Sequence, residues 1–143
     1  MKIRKVQPED LESVFKLTKL FATSFKIDRE LFEISYLNLL SDSSTHFLLA
    51  EVNDLVIGYS LGYDHYALYA NGRVAWIEEI FVLEEYRRNG VASSLMNEME
   101  KWAISRNAKL IALVSRRAKD FYLSIRRISN VFSKASQNLK AFL

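Results

Sequence analysis

Cysteine is absent from the chain, proline occurs once and glycine four times. Without cysteine there are no disulfides, no thiolate metal ligands and no thiol nucleophile. Histidine is scarce as well: His46 and His65 stand far apart, with no ligand-like spacing, so no metal site is expected. No apolar run approaches the length of a membrane span, and the opening Met-Lys-Ile-Arg-Lys lacks the apolar core of a secretory signal. The expectation is a cytoplasmic, reducing location with no membrane partner. Pro8 is the only proline and Gly90 the last glycine, so tight turns are disfavoured over the rest of the chain.

What is present fits one domain with a real hydrophobic core: 143 residues, 50% hydrophobic and 26% charged. The net charge of +3 hides an asymmetry. From Lys101 onward there are ten Lys or Arg and a single acid, Asp120, whereas positions 1–100 carry ten basic residues against sixteen acidic ones. A basic end of this kind can meet nucleic acid or a phosphorylated cofactor, or it can keep a helix face wet. Stacking aromatics are not interleaved with the charges, which disfavours nucleic acid.

The periodicity is mixed α and β, without repeats. Ile3 to Val6 reads as a strand, and Pro8-Glu9-Asp10 opens a helix whose face is Leu11, Val14, Phe15, Thr18 and Phe21. Asp28 is placed to cap a second helix carrying Leu31, Ile34, Leu37 and Leu40. Strands follow at 46–52 and 56–63 around Asn53-Asp54, then at 73–82 after the Asn71-Gly72 turn. Val91, Leu95, Met99 and Trp102 form the stripe of a helix over 90–106, and Leu110 to Val114 reads as a strand buried on both faces. A helix joining two such strands is a crossover, so 73–82 and 110–114 are expected to lie parallel.

The segment Arg87-Arg88-Asn89-Gly90-Val91-Ala92 leads from a strand into a helix N-terminus. The first amides of a helix have no internal partners and carry partial positive charge, which suits a phosphate. Glycine and the small residues Ala92, Ser93 and Ser94 let the backbone come close, and two arginines add charge-assisted bonds. This segment resembles the Arg/Gln-x-x-Gly-x-Gly/Ala signature of the GNAT superfamily of N-acetyltransferases, with Arg87, Gly90 and Ala92 in the matching places. Trp76 to Val82 resembles the family's central strand, and Ala118 to Tyr122 resembles the helix that usually contains Phe-Tyr. The likeness covers residues 1 to about 125 in element order.

The resemblance implies an α/β fold with a central splayed sheet flanked by helices, and a metal-free ternary-complex reaction that uses acetyl-CoA. The pantetheine arm would pair with backbone groups of Phe81 and Val82, and Arg87, Arg88, Asn89, Gly90, Val91 and Ala92 would hold the pyrophosphate. A backbone N–H near Phe81 would steady the oxyanion. Glu78 matches the base of polyamine-type relatives, and Tyr122 matches the usual general acid. Glu78 and Glu79 are adjacent, so strand alternation predicts that only one of them faces the acceptor. Tyr59, Tyr63, His65, Tyr66 and Tyr69 are candidates for the wall of an amine pocket.

The chain departs from the family at its end. Phe121, Ile125, Ile128, Phe132, Ala135, Leu139 and Phe142 recur at helical spacing, which predicts one helix from about Ala118 to near the C-terminus in place of the terminal hairpin. Such a helix would leave a sheet edge open beside 110–114 and offer an apolar seam to a second copy, so a homodimer is expected. The functional reading is a single-domain acetyl-CoA-dependent N-acetyltransferase for a small-molecule or peptide amine. The alternative is a non-catalytic acyl-CoA-binding or oligomerisation module. Nucleic-acid binding ranks third.

Overall fold

Both faces of one sheet are covered, and the two coverings are built from different parts of the chain. The computed structural model describes residues 1–115 and 122–127. Its order is β1 (Lys2–Lys5), α1 (Leu11–Phe21), α2 (Arg29–Ser41), β2 (Thr45–Val52), β3 (Leu55–Ala67), β4 (Gly72–Val82), α3 (Val91–Ser105), β5 (Leu110–Ser115) and β6 (Tyr122–Arg127). Among the described residues the strands lie in the order β1-β2-β3-β4-β5-β6. All neighbours are antiparallel except β4 and β5, which pair in parallel as the crossover helix requires. No helix among the described residues is long and apolar enough to cross a membrane.

Local chemistry explains the element boundaries. The Asp28 carboxylate accepts from the Leu31 amide at 2.9 Å and so caps α2. Asn53 and Asp54 both take positive φ, 49° and 63°, the left-handed pair that closes a two-residue hairpin. On α3 the buried side is Val91, Leu95, Met96, Met99 and Ala103, close to the predicted stripe. It packs with Ala75, Ile77 and Ala108 on one face of the sheet. On the other face Val14, Leu17 and Tyr36 from the first two helices meet Phe47, Tyr59, Leu61 and Phe81.

Two expectations are corrected here. Leu31, Ile34 and Leu37 of α2 stay exposed. The buried side is Phe32-Tyr36 with Leu39 and Leu40 beside it. Phe32 sits 5.0 Å from Phe15, and Tyr36 sits 6.0 Å from Phe47, ring centre to ring centre. Two overlapping helical stripes compete on this segment, and the one with the larger aromatic area goes inward.

The second correction concerns the C-terminal helix. Tyr122–Arg127 is a strand, paired with β5 from Leu110↔Arg127 to Ser115↔Tyr122. The edge of β5 offers a row of backbone donors and acceptors, and over these six residues the sequence also alternates at period two (Leu123, Ile125). Tertiary pairing therefore overrides the helical spacing here. The helical seam is broken at 122–127, and with it the ground for a dimer through that seam. The rest of that predicted helix, residues 118–121 and 128–143, lies outside the described residues.

One side chain gives the fold a pH dependence. His46 stacks on Trp102 at 4.9 Å, with the rings 5° from parallel. Burial, helped by the charge of Lys5 and opposed by Glu98, lowers its pKa to about 4. An unfolded histidine takes its proton near pH 6.5. Between those values the unfolded chain binds more protons, so stability falls as pH falls, by at most about 1.4 kcal/mol per pH unit. Urea denaturation of His46→Gln at pH 7 and pH 5 should show a flatter loss than the parent chain, and an unchanged slope would acquit His46.

Candidate active site

β4 is the spine of the site, and a slip in its pairing shapes it. Leu61 faces Glu79 while Gly62 faces Ile77, so β4 carries one extra residue, Glu78, in a β-bulge. Gly62 permits the close approach: a Cβ there would stand 2.8 Å from the Trp76 carbonyl and 3.0 Å from Ile77 Cδ1. The bulge exchanges faces. Ala75 and Ile77 pack on the α3 side, whereas Glu79 and Phe81 lie on the α1/α2 side. Trp76 stands over Tyr63, 6.4 Å between centroids, away from the α3 side. Alternation from Ile77 then puts Glu78 on the same side as Trp76 and Glu79. The charge of Glu78, after burial, helps to raise the Tyr63 pKa. Both carboxylates thus share one face, against the expectation that only one would. A bulge absorbs the half-repeat that simple alternation counts.

Glu79 is held in place. The Tyr59 hydroxyl donates to Glu79 Oε2 at 2.6 Å, and Tyr59 is only 1% exposed. Burial, followed by the Glu79 charge, raises the Tyr59 pKa far above its ordinary value, so the phenol stays a neutral donor. Of the other aromatic candidates, Tyr63, His65 and Trp76 cluster together. Tyr66 and Tyr69 are exposed at the far end of the β3–β4 hairpin, Tyr66 lying against Arg73.

Beyond Ile77 the spine parts from its parallel neighbour. β4 and β5 pair from Val74↔Leu110 to Ile77↔Leu113 and no further. From Glu79 to Val82, β4 is paired on its β3 side. Its β5-facing edge has no strand partner among the described residues. This is the splayed cleft that the sequence predicts, with Phe81 and Val82 at its upper end.

The strand then runs into the loop that leads to α3. Arg87 Nε donates to the Val82 carbonyl at 2.9 Å, and the guanidinium lies 5.7 Å from the Phe81 ring centre. Arg87 therefore pins the loop to the strand with one N–H and keeps its terminal nitrogens, while the Val82 carbonyl is already engaged. Arg88 and Gly90 take left-handed φ values of 62° and 78°. Gly90 is the N-cap of α3, and among the described residues no side chain caps the helix and nothing lies within 4 Å of where a Cβ at Gly90 would stand. The first amides of α3 are thus left to solvent or a ligand in an open approach, at the positive end of the helix dipole.

The family model of the acetyltransferase (GNAT) family matches residues 11–125. The chain belongs to that family. It is an acetyltransferase by descent and by fold. A protein of Archaeoglobus fulgidus described as an uncharacterized N-acetyltransferase is 26% identical over 139 residues, covering 87% of this chain and 90% of its own. The thialysine N-epsilon-acetyltransferase of Bos taurus is 26% identical over 140 residues, covering 86% and 81%. Among solved structures, AAC(6')-Iy in complex with the bisubstrate analogue CoA-S-monomethyl-acetylneamine superposes with a TM-score of 0.72. Its identity is 20%, over 82% of this chain and 81% of that one, so it supports the fold.

Tyr122 opens β6 opposite Ser115, so β5 lies between it and β4. Sequence reasoning missed three features of the acetyltransferase: the bulge, the Tyr59–Glu79 pair and the Arg87 clamp. The Gly62 and Glu78-Glu79 positions carry a faint signal for the bulge, since glycine in a strand often marks one. The basic excess is partly spent within the fold, because Arg106 bonds the buried Asp64 and Lys101 pairs with Glu98.

Proposed function

We propose that this acetyltransferase moves the acetyl group of acetyl-CoA to a primary amine of a small molecule or peptide by direct attack in a ternary complex. The observation that carries the reading is the end of the β4–β5 pairing at Ile77↔Leu113, so that the two strands part before β4 reaches the glycine-capped N-terminus of α3. The parted edge of β4 suits the amides of a pantetheine arm, and the residues 87–92 suit a pyrophosphate. The solved neighbour that holds a CoA-containing bisubstrate analogue supports this use of the fold. The lack of cysteine suits a reducing compartment, and we place the reaction in the cytoplasm.

In this mechanism Glu78 takes a proton from the acceptor ammonium, directly or through water, so that nitrogen can attack. A β4 amide near Phe81 donates to the oxygen that gathers negative charge. The C–N bond forms, the C–S bond breaks, and the departing thiolate takes a proton from the Tyr122 phenol. A phenol of pKa about 10 suits that transfer. The surplus proton on the new amide nitrogen passes through water to restore that phenol.

Two measurements test the reading. Calorimetric titration with acetyl-CoA is expected to show saturable micromolar binding, and thiol release is expected to depend on an added primary amine. Tyr122→Phe should lower kcat about 100-fold while the affinity for acetyl-CoA holds. Full turnover in that variant removes Tyr122 from the reaction, and no binding at millimolar acetyl-CoA removes the reaction itself.

A further inference from the structure

Two glycines on β3, Gly58 and Gly62, bracket the stretch of β4 that has parted from β5. Gly62 faces Ile77, the last residue of β4 paired with β5, and Gly58 faces Val82 at the other end. A Cβ at Gly58 would stand 2.6 Å from the Phe81 carbonyl oxygen and 3.3 Å from Val82 Cα. At Gly62 the same atom would stand 2.8 Å from the Trp76 carbonyl oxygen. We propose that Gly58 and Gly62 are positioning residues for the coenzyme. They let β4 lie close against β3, and so keep the gap between β4 and β5 wide enough for the pantetheine arm. The inference rests on the acetyl-CoA reading of that gap and names what sets its width.

Three observations lead there. First, the glycines supply room and not a backbone angle. Positive φ among the glycines is confined to Gly72 and Gly90, so the backbone at 58 and 62 is open to alanine. Glycine weakens a strand interior, and it marks places where another backbone comes close. Second, the atoms in the way are main-chain oxygens, which no rotamer change removes. A carbon meets a carbonyl oxygen at about 3.3–3.6 Å, so a methyl at Gly58 requires a shift of about 0.7–1 Å. Third, the neighbours decide which strand shifts. β3 is paired with β2 from Thr45↔Tyr63 to Val52↔Leu55, and every residue from Ile57 to Gly62 is buried. β4 is released by β5 after Ile77 yet follows β3 further, the Leu83 amide donating to the Ile57 carbonyl at 2.9 Å. β4 is therefore the strand that yields, away from β3 and into the gap.

The two positions differ in what else they touch. At Gly62 the added methyl also meets Ile77 Cδ1 at 3.0 Å and the Met99 sulfur at 3.6 Å. It presses on the α3 core and on the bulge that carries Glu78, so Gly62→Ala is expected to lower kcat as well as coenzyme affinity. The three atoms nearest an added methyl at Gly58 all belong to Phe81 and Val82, which makes Gly58 the cleaner probe.

The experiment is a calorimetric titration of the parent chain and Gly58→Ala with two ligands, acetyl-CoA and ADP. ADP carries the pyrophosphate and lacks the pantetheine arm, so it reports on the loop at 87–92 alone. Acetyl-CoA is expected to bind Gly58→Ala about 10-fold to 100-fold more weakly, and ADP within about twofold of the parent chain. Urea denaturation records any loss of stability separately. A role confined to packing moves the urea midpoint and leaves the two affinities of the folded chain in their parent ratio, which overturns the proposal. Unchanged acetyl-CoA binding overturns it too. Where ADP gives no heat with the parent chain, the acetyl-CoA affinity of the folded variant decides alone. Gly62→Ala takes the place of Gly58→Ala if the latter does not fold, with the same split expected. Loss of the fold at both positions means that the glycines serve packing, and the proposal falls. A parent chain that binds no acetyl-CoA at millimolar ligand fails the coenzyme reading itself and takes the proposal with it. That result is distinct from a parent and a variant that bind alike.

Discussion

Gly90→Glu is expected to weaken acetyl-CoA binding about 100-fold or more, while the chain stays folded. Gly90 holds φ at 78°, a region that a residue with a Cβ enters at a cost of about 1–3 kcal/mol. No atom of the described residues lies within 4 Å of the added Cβ, so they leave room for the larger residue. The harm is local. A glutamate either keeps the strained turn or leaves the left-handed region, and leaving it turns away the amides that open α3. In both cases it adds a negative charge where the helix dipole favours a phosphate. Losing about 2.7 kcal/mol of binding corresponds to 100-fold. Gly90→Asn is the control, because asparagine tolerates the left-handed region. It should bind within a few-fold of the parent chain. Calorimetry reads the affinity, and urea midpoints confirm the fold. Unchanged binding in Gly90→Glu would mean that the coenzyme lies elsewhere.

Glu78→Gln should have the second large effect, a drop in kcat of about 100-fold to 10,000-fold with little change in acetyl-CoA affinity. An amide cannot take the acceptor's proton. The acid limb of the rate profile, where a carboxylate base becomes protonated and activity falls, should vanish with it. Glu79→Gln is the necessary comparison, since the bulge brings both carboxylates to one face. Glu79 is held by Tyr59 and lines a small cleft between the sheet and the first two helices, so its loss should raise the acceptor KM more than it lowers kcat. If Glu79→Gln instead costs the larger share of kcat, the two residues exchange roles.

Much of this site was legible because its signals are local. The capping carboxylate of Asp28, the left-handed Asn53-Asp54 hairpin and the stripe on α3 each depend on residues within a turn or two of one another. The Arg87-to-Ala92 motif is of the same kind: strand, left-handed glycine and helix start are contiguous, and their chemistry follows from backbone geometry. The parallel pairing of β4 with β5 was legible for a related reason, because one intervening helix leaves only that arrangement.

What failed was whatever needed a distant partner. On α2, two stripes fit the helical period, and only the rings waiting at Phe15 and Phe47 decide that Phe32 and Tyr36 go inward. At Tyr122–Arg127 the sequence fits helix and strand alike, and the open edge of β5 chooses the strand. Alternation along Glu78-Glu79 assumes an unbroken ladder, and the ladder is broken by the strand alongside, at Gly62.

The sequence by itself determined the family, the order of elements through β5 and the place of the glycine-led start of α3, because short-range geometry and composition suffice for each. The tertiary structure alone decided that both carboxylates share a face, that Tyr59 holds one of them, that Arg87 spends an N–H on Val82, and that a small apolar cleft stands beside them. These depend on register between strands far apart in the chain. A shift of one residue in that register reverses the face of every side chain beyond it.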